Sequence, residues 1–190
     1  MAEDQKTKPE LSRLKGLLDR PIALVGMMGS GKSLVGRRLA RALDLPFADS
    51  DSRVEAAAGI SVAEIFDIAG EAKFRDMEQA AIKAALTSGP MILSTGGGAI
   101  CNEATAGLLC ANSIVVWLRA EPETLISRIG SVGSRPLLHG DDPLQTLREL
   151  ADGRAGDYGK AHITVTTDDL SAHAATNAVL RALDRHLTVT

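Results

Sequence analysis

The sequence predicts an α/β domain in which a five-stranded parallel sheet lies between two layers of helices, in an α/β/α arrangement. Short apolar runs alternate along the chain with longer helix-like segments, as they do where parallel strands are joined by helical crossovers. A chain of 190 residues, with 45% hydrophobic and 24% charged residues, is also suited to one domain with a large core.

The elements follow one another in a regular order. Five apolar runs are predicted as strands: residues 22–25, 45–48, 91–94, 113–118 and 163–166. Helices are predicted over residues 11–18, 32–43, 71–87, 102–110 and 171–186, with further helix starts at Ser61, Pro122 and Asp142. Ser61 and Glu64 have the spacing of a capping box, and proline suits the first turn of a helix.

The domain organisation is simple. We expect residues 1–20 to be an N-terminal extension, irregular and partly disordered up to about residue 10, and residues 21–190 to be one domain. The stretch 130–142 interrupts the alternation of strands and helices. It is long enough to move, and we expect it to be a mobile lid.

Charge and composition exclude several classes of protein. The net charge is −3 and aromatic residues make up 3%, so we expect no nucleic acid partner. The first residues lack a secretory signal, and no apolar stretch is long enough to span a bilayer, so we expect a cytoplasmic protein without a membrane partner. No additional apolar helix face is evident, and we therefore expect a monomer.

Glycines, a lysine and a serine are concentrated in the stretch GMMGSGKS at residues 26–33, between a strand and a helix. The stretch fits G-x-x-x-x-G-K-[ST] at every fixed position. Glycines let successive backbone N–H groups turn inward around an anion, and the helix adds the positive end of its dipole. Lys32 can reach the β- and γ-phosphates, and the Ser33 hydroxyl can bind Mg²⁺. The stretch predicts a nucleoside triphosphate site.

Two acids follow the second predicted strand, at Asp49 and Asp51. Alternate residues of an extended segment share a face, so one carboxylate can approach Mg²⁺ and the other a bound acceptor. The alternative is a surface turn with a helix cap, in which Asp and Ser are also common. The third strand ends without an acid, and no Asn-Lys-x-Asp motif for guanine occurs. These features favour ATP.

Further residues are suited to an anionic acceptor. Gly96, Gly97 and Gly98 follow the third strand, at the edge where open parallel sheets bind ligands. Arg75 lies in a predicted helix, where the alternative is a solvated charge or a partner for an acid three residues on. Arg135 in the lid and Arg154 in the next helix have a forked group that suits phosphate and carboxylate.

In their order and spacing, these motifs resemble those of shikimate kinase, in the nucleoside-monophosphate-kinase-like P-loop group. The residues that carry the resemblance are GMMGSGKS at 26–33, DSD at 49–51, GEAKFRDME at 70–78, TGGGA at 95–99, RPLL at 135–138, and Arg154 with Tyr158. They cover most of the chain from about Pro21. The family often continues after the tyrosine with a Glu and then Ala-Asp, whereas this chain reads GKAH over residues 159–162.

The resemblance implies ATP-dependent phosphorylation of the 3-hydroxyl of shikimate with Mg²⁺, giving shikimate 3-phosphate and ADP, a step toward aromatic amino acids. Ser33 and Asp49 would serve the metal, and Arg128 would stack on adenine. Arg135 would reach ATP from the lid. The residues implied to hold the ATP phosphates are Gly29, Ser30, Gly31, Lys32, Ser33 and Leu34.

The resemblance also implies an acceptor site. Asp51 would bind the shikimate hydroxyls and orient or deprotonate the attacking oxygen. Arg75 and Arg154 would hold the carboxylate, beside the backbone of the glycines at 96–98. Lys32, Asp51 and Arg135 are the implied catalytic residues.

Two other functions fit part of the sequence. Another small-metabolite kinase, such as a gluconate-type kinase, would share the P-loop but would not need arginines at positions 75 and 154. A non-catalytic nucleotide-binding switch would be expected to lack the metal and acceptor acids. Both acids are present, at Asp49 and Asp51, so shikimate kinase is the favoured interpretation.

Overall fold

The computed structural model describes residues 4–130, 138 and 142–189, and within them the chain forms five strands and eight α-helices. The strands are β1 Ile22–Val25, β2 Phe47–Asp49, β3 Ile92–Ser94, β4 Ile114–Arg119 and β5 Ile163–Thr166. The helices are α1 Asp4–Leu17, α2 Lys32–Leu43, α3 Ser50–Ala58, α4 Val62–Leu86, α5 Glu103–Asn112, α6 Pro122–Arg128, α7 Pro143–Tyr158 and α8 Ala172–Val189.

All strand pairs are parallel, and the order across the sheet is β2-β3-β1-β4-β5. The register aligns Ile22 of β1 with Ile92 of β3 on one side and with Ile114 of β4 on the other. The predicted three-layer architecture is confirmed. Because the strands are parallel, the segments that follow β1, β2 and β3 meet at one edge of the sheet.

β1 is apolar at every position because both of its faces are covered. Ile22 and Leu24 belong to a core shared with α1, α2 and α8, whereas Ala23 and Val25 belong to a core shared with α4, α5 and α7. All four side chains are at most 1% exposed. Burial on both faces is typical of a central strand in a parallel sheet.

Local capping signals fix several helix ends as predicted. Ser61 and Glu64 form the capping box at the start of α4, and Asn102 caps α5. Pro122 and Pro143 each lie in the first turn of a helix. α4 is broken at Gly70, so the helix predicted over residues 71–87 is its second half.

The junction between β2 and α3 differs from the prediction. β2 ends at Asp49 and the chain enters α3 immediately, so Asp51 lies in a helix and not in an extended segment. The proposed alternation of Asp49 and Asp51 along a strand is therefore wrong. The physical reason is a helix cap, since the Asp49 carboxylate accepts the N–H of Asp51 at 3.1 Å.

The N-terminal helix also differs from the prediction, because α1 begins at Asp4, well before residue 11. It packs on the domain through Leu14, which is 2% exposed in the core shared with α2 and α8. Arg13 donates to both carboxylate oxygens of Asp184 in α8, at 2.6 Å. The helix therefore extends into residues whose composition suggested an irregular tail, and these contacts hold its C-terminal half against the domain.

Most of the predicted lid, residues 131–137 and 139–141, lies outside the described residues, and Arg135 is among them. Leu138 is described and is fully buried in the core shared with α4, α5 and α7. Within the described ranges, no helix combines the length and apolar character that crossing a membrane requires.

Candidate active site

The phosphate loop, residues 26–33, joins β1 to α2. Gly29 and Gly31 have φ angles of 80° and 90°, which glycine adopts without strain. Ser30 is buried, and its N–H closes the turn by donating to the carbonyl oxygen of Met27 at 3.2 Å. The loop is a preformed backbone turn at the N-terminus of a 12-residue helix, an arrangement that favours phosphate.

Lys32 lies inside this loop and is 9% exposed. Its Nζ donates to the carbonyl oxygens of Gly26 at 2.8 Å and Met27 at 2.9 Å. Such partners are needed because an ammonium group removed from water is costly without hydrogen bonds. The lysine thus holds the loop together and places its charge where phosphate oxygens would bind.

A cavity of about 520 Å³ opens beside the loop, a volume typical of small-molecule sites. The apolar residues Leu170, Ala172 and Ala175 contribute to its lining, together with Arg128. From the predicted site, the other lining residues are Gly29, Ser30, Gly31, Lys32, Ser33, Leu34, Asp49, Asp51, Gly96 and Gly97. The structure therefore brings the phosphate loop, both acids and the first two glycines of the glycine loop, residues 96–98, to one cavity.

Arg128 is fixed against the segment between β5 and α8. Its guanidinium donates to the carbonyl oxygen of Thr167, to that of Asp168 at 2.9 Å and to the Thr167 hydroxyl at 3.2 Å. A planar guanidinium held in this way can stack on a flat ring. Together with the apolar lining, it makes this part of the cavity suitable for a nucleotide base.

Oxygen atoms suited to Mg²⁺ meet beside the loop. The Ser33 hydroxyl donates to Asp49 Oδ2 at 2.7 Å and lies 3.3 Å from the Ser94 hydroxyl. Across the described ranges, no group of three or more His, Cys, Asp or Glu residues could hold a metal ion. Mg²⁺ commonly takes one or two protein oxygens and completes its shell with water and substrate phosphates. Ser33 and Asp49 fit an ion held in that way.

Asp51 lines the same cavity from the first turn of α3. Burial raises the pKa of its carboxyl to about 6, and the nearby charges of Glu78 and Asp49 act in the same direction. Lys32 and Arg75 oppose the rise. With a pKa of about 6, the carboxyl is mostly ionised at pH 7, which suits a group that accepts a proton from a hydroxyl.

Arg75 is more buried than an ordinary helical arginine, with 16% of its side chain exposed. Its Nη1 lies 2.7 Å from Glu78 Oε2, and its Nη2 lies 2.9 Å from Glu71 Oε1. The alternative of an acid partner three residues on is therefore correct, but the guanidinium is not simply solvated. A side chain at Gly98 would approach Arg75 Nη2 to 2.5 Å, so the absence of one makes room for the arginine.

Arg154 approaches from α7, with its Nη1 3.9 Å from the sulfur of Met27. Burial raises the pKa of the Cys101 thiol, and the charges of Arg154 and Arg75 both oppose that rise. Both guanidinium charges therefore act on the thiol of Cys101, whose backbone N–H donates to the carbonyl oxygen of Gly98 in the glycine loop at 3.1 Å. Arg135, the remaining predicted arginine, lies outside the described residues.

The glycine loop is held by hydrogen bonds on both sides. The N–H of Gly96 donates to the Ser50 hydroxyl at 2.9 Å, and the Tyr158 hydroxyl donates to the carbonyl oxygen of Gly97. Tyr158 is 1% exposed. These bonds anchor the loop to the β2–α3 junction and to α7.

The sequence interpretation missed Ser50 as a residue of the site and considered Glu78 only as an ion-pair partner of Arg75. Ser50 is the middle residue of DSD, and Glu78 is the acid three residues after Arg75. The second spacing was a usable signal, since it is the ion-pair spacing of a helix. No local pattern reveals that both residues are almost fully buried.

Comparison with known proteins relates the chain to one family of kinases. A family model described as shikimate kinase matches residues 28–184. The shikimate kinase of Caulobacter vibrioides is 46% identical over 170 residues, covering 90% of this chain and 85% of that protein. The shikimate kinase of Bradyrhizobium diazoefficiens is 40% identical over 182 residues, covering 96% and 88%.

Solved structures agree with this relationship. Shikimate kinase from Acinetobacter baumannii, in complex with shikimate, superposes with a TM-score of 0.82 and 36% identity, covering 85% of this chain and 91% of the other. A gluconokinase from Sinorhizobium meliloti gives a TM-score of 0.56 at 17% identity, covering 90% and 94%. The second likeness concerns the fold alone.

Proposed function

Because the chain belongs to the shikimate kinase family, we propose how its residues share the work of phosphorylating shikimate. The reaction transfers the γ-phosphoryl group of ATP, in the presence of Mg²⁺, to the 3-hydroxyl of shikimate and yields shikimate 3-phosphate and ADP. The observation that carries the assignment of roles is the shared cavity, which is lined by both the phosphate loop and Asp51.

The donor half of the site would be the phosphate loop with its surroundings. The backbone of residues 29–34 and the Lys32 ammonium would hold the phosphates of ATP, and Arg128 would stack on adenine. Ser33 and Asp49 would hold Mg²⁺, which when bound neutralises charge on the phosphates. Arg135 would add positive charge from the lid.

The acceptor half would combine one acid with two arginines. Arg75 and Arg154 would bind the shikimate carboxylate through charge-assisted hydrogen bonds, beside Gly97 and Gly98. Asp51 would then face the hydroxyl that attacks. Its place in the lining of the shared cavity and its raised pKa support this role, because an ionised carboxylate of near-neutral pKa can orient the hydroxyl and take its proton as the new P–O bond forms.

Phosphoryl transfer depends mainly on alignment and neutralisation of charge. Lys32 and Arg135 would supply positive charge at the transferring group, and the arginine pair would align the acceptor.

We further propose that residues 21–190 form the kinase domain, to which α1 is appended, and that the protein is a cytoplasmic monomer. Light scattering after size-exclusion chromatography tests the monomer.

The test is coupled measurement of ADP release with Mg²⁺ and ATP, in the presence of shikimate or gluconate. We expect turnover that depends on shikimate and not on gluconate.

Lys32→Ala and Asp51→Ala are expected to lower kcat by about 100-fold or more while the circular dichroism spectrum is retained. Lys73→Ala and Asp67→Ala, which replace exposed residues of α4, are the matched controls. An Asp51→Ala enzyme with an ordinary rate would overturn the role given to Asp51.

A further inference from the structure

Ser50 is completely buried at the point where β2 passes into α3. It lies between Asp49 and Asp51, the acids assigned to the metal and to the acceptor. A serine at the start of a helix often serves as a cap, but Asp49 is the cap here. The Ser50 hydroxyl is therefore available for other partners.

That hydroxyl connects three segments that are far apart in the sequence. It accepts the N–H of Gly96 at 2.9 Å, and its oxygen lies 3.4 Å from Glu78 Oε1 and 3.5 Å from Asp51 Oδ1. A hydroxyl has one proton, so it can donate to one of these carboxylates at a time. Glu78 in turn holds Arg75 at 2.7 Å.

We propose that Ser50 is a positioning residue for the acceptor site: its hydroxyl keeps the glycine loop, Glu78 and hence Arg75 in the arrangement that binds shikimate. This inference rests on the proposed function, in which Arg75 binds the shikimate carboxylate. Ser50 touches neither substrate in this account and acts through its neighbours.

Packing around Gly96 explains why the hydroxyl matters. A side chain at position 96 would collide with Glu78 Oε1 and would lie 2.8 Å from Asp51 Oδ1. The backbone of the glycine loop thus packs closely against the carboxylates of Glu78 and Asp51, with no room for a side chain. Without the Ser50 hydroxyl, the buried N–H of Gly96 would lose its acceptor and turn toward one of these carboxylates. This rotation of the N–H would displace either the glycine loop or Glu78, the buried partner of Arg75.

The nucleotide half of the site is held independently of this hydroxyl. Asp49 is fixed by the Ser33 hydroxyl and by the N–H of Asp51. Lys32 is held by carbonyl groups of the phosphate loop. Loss of the Ser50 hydroxyl should therefore weaken binding of shikimate and leave binding of ATP nearly unchanged.

The experiment compares steady-state kinetics of Ser50→Ala, Ser50→Thr and Ser113→Ala. For Ser50→Ala we expect KM for shikimate to rise about ten-fold, because one buried hydrogen bond is lost, while KM for ATP changes by less than about two-fold. Ser50→Thr keeps the hydroxyl and should retain the parent KM for shikimate. If Ser50→Ala does not fold, Ser50→Cys, which replaces the hydroxyl with a somewhat larger thiol that forms only weak hydrogen bonds, takes its place.

Ser113→Ala is the matched control for structural damage. Its hydroxyl is also buried and donates to the Leu109 carbonyl oxygen at 2.7 Å, outside the candidate site. We expect this variant to lose stability with both KM values unchanged. A parent-like KM for shikimate in Ser50→Ala, or a parallel rise in both KM values, would overturn the proposal.

Arg75→Ala separates this inference from the function on which it rests. If Arg75→Ala leaves KM for shikimate unchanged, the assigned carboxylate site is wrong. If Arg75→Ala raises KM and Ser50→Ala does not, the carboxylate site stands and the role of Ser50 alone is rejected.

Discussion

A single buried carboxylate, that of Glu78, determines how Arg75 is held. Glu78 has 1% of its side chain exposed, whereas Glu71, the other partner of Arg75, has 51% exposed. Removing one member of a buried ion pair leaves an uncompensated charge, but an exposed pair contributes little. The two glutamates thus form a natural comparison at the scale of single residues.

Glu78→Gln, which keeps the shape and removes the charge, is expected to lower the free energy of unfolding by roughly 3 kcal/mol. KM for shikimate should rise about ten-fold, because Arg75 loses its buried partner. Glu71→Gln is expected to cost less than about 1 kcal/mol and to leave KM unchanged. Urea denaturation and steady-state kinetics measure both quantities, and equal effects of the two substitutions would contradict this account.

The role of a residue can be predicted from the sequence when its hydrogen-bond partners lie near it in the chain. Lys32 bonds to carbonyl groups five and six residues before it, inside one recognisable motif. The contacts of Ser50 with Glu78 and Gly96 span 28 and 46 residues, so no local pattern reveals them. Asp51 was assigned to the correct cavity by an incorrect geometry, since a helix cap replaces the expected strand alternation.

At the scale of elements, the break in α4 depends on Gly70, with φ 78° and ψ 170°. Gly70→Ala is expected to destabilise the protein by about 1–3 kcal/mol, because this region of backbone conformation suits glycine alone. Apart from the neighbouring residues of its own helix, no atom lies within 4 Å of the added methyl group, so the effect is one of backbone strain. Thermal denaturation measures it.

Gly107→Ala in α5 is the control for this prediction. The added methyl group is equally uncrowded, but the backbone there is regular helix. Alanine should stabilise this position by roughly 0.5–1 kcal/mol. Effects of the same sign at the two glycines would contradict the assignment of strain to Gly70.

The start of β4 is bonded to a histidine, because the Val115 N–H donates to His162 Nδ1 at 2.9 Å. His162 must therefore be neutral at Nδ1. Burial, His186 and Arg20 all lower the pKa of His162 below its usual value. Protonation consequently favours the unfolded chain: the stabilisation is complete above about pH 6.5 and declines as pH falls toward the lowered pKa of the folded protein.

His162→Asn keeps an acceptor close to the position of Nδ1 and removes the titration. We expect its stability to fall less than that of the parent between about pH 7 and pH 5. Urea midpoints measured across this range provide the test. His173→Asn replaces an exposed imidazole of α8 and should keep the pH dependence of the parent. A His162→Asn variant with the parent's pH dependence would reject the assignment.

Element boundaries were predictable where a cap or proline marks them, as at Ser61 and Asn102. α3 was missed because its local signal is weak: within it, Ser50 and Val54 alone are buried. Its N-terminal cap, Asp49, is also the last residue of a strand. A residue that serves two elements cannot be assigned from local pattern alone.

At the scale of the whole molecule, α1 closes the core that α2 and α8 share. Leu14→Ala is expected to lower the free energy of unfolding by about 3 kcal/mol, since Leu14 is 2% exposed. Leu17→Ala changes a side chain that is 41% exposed and should cost less than about 1 kcal/mol. Because α1 lines no part of the described cavity, kcat at 25 °C should be retained by both. Denaturation and turnover measured together test this, and a lower kcat in folded Leu14→Ala would contradict it.

The fold class was predictable from alternating apolar runs, but the strand order was not. Apolar runs identify strands that are buried on both faces without indicating which neighbours they take. β1 pairs with β3 and β4, whereas β2 lies at an edge. That order is determined by contacts across the whole chain, and these are formed by side chains with no shared local pattern.

The central position of β1 affects how the protein is made. β1 precedes β3 and β4 in the chain, and Ile22 is aligned with Ile92 and Ile114, which are translated much later. Closing such long loops costs chain entropy before any pairing repays it, and this slows folding. We therefore expect the phosphate loop to reach its final form late in synthesis, after β4 has emerged. Nucleotide binding by a nascent chain would report that the sheet has closed around β1.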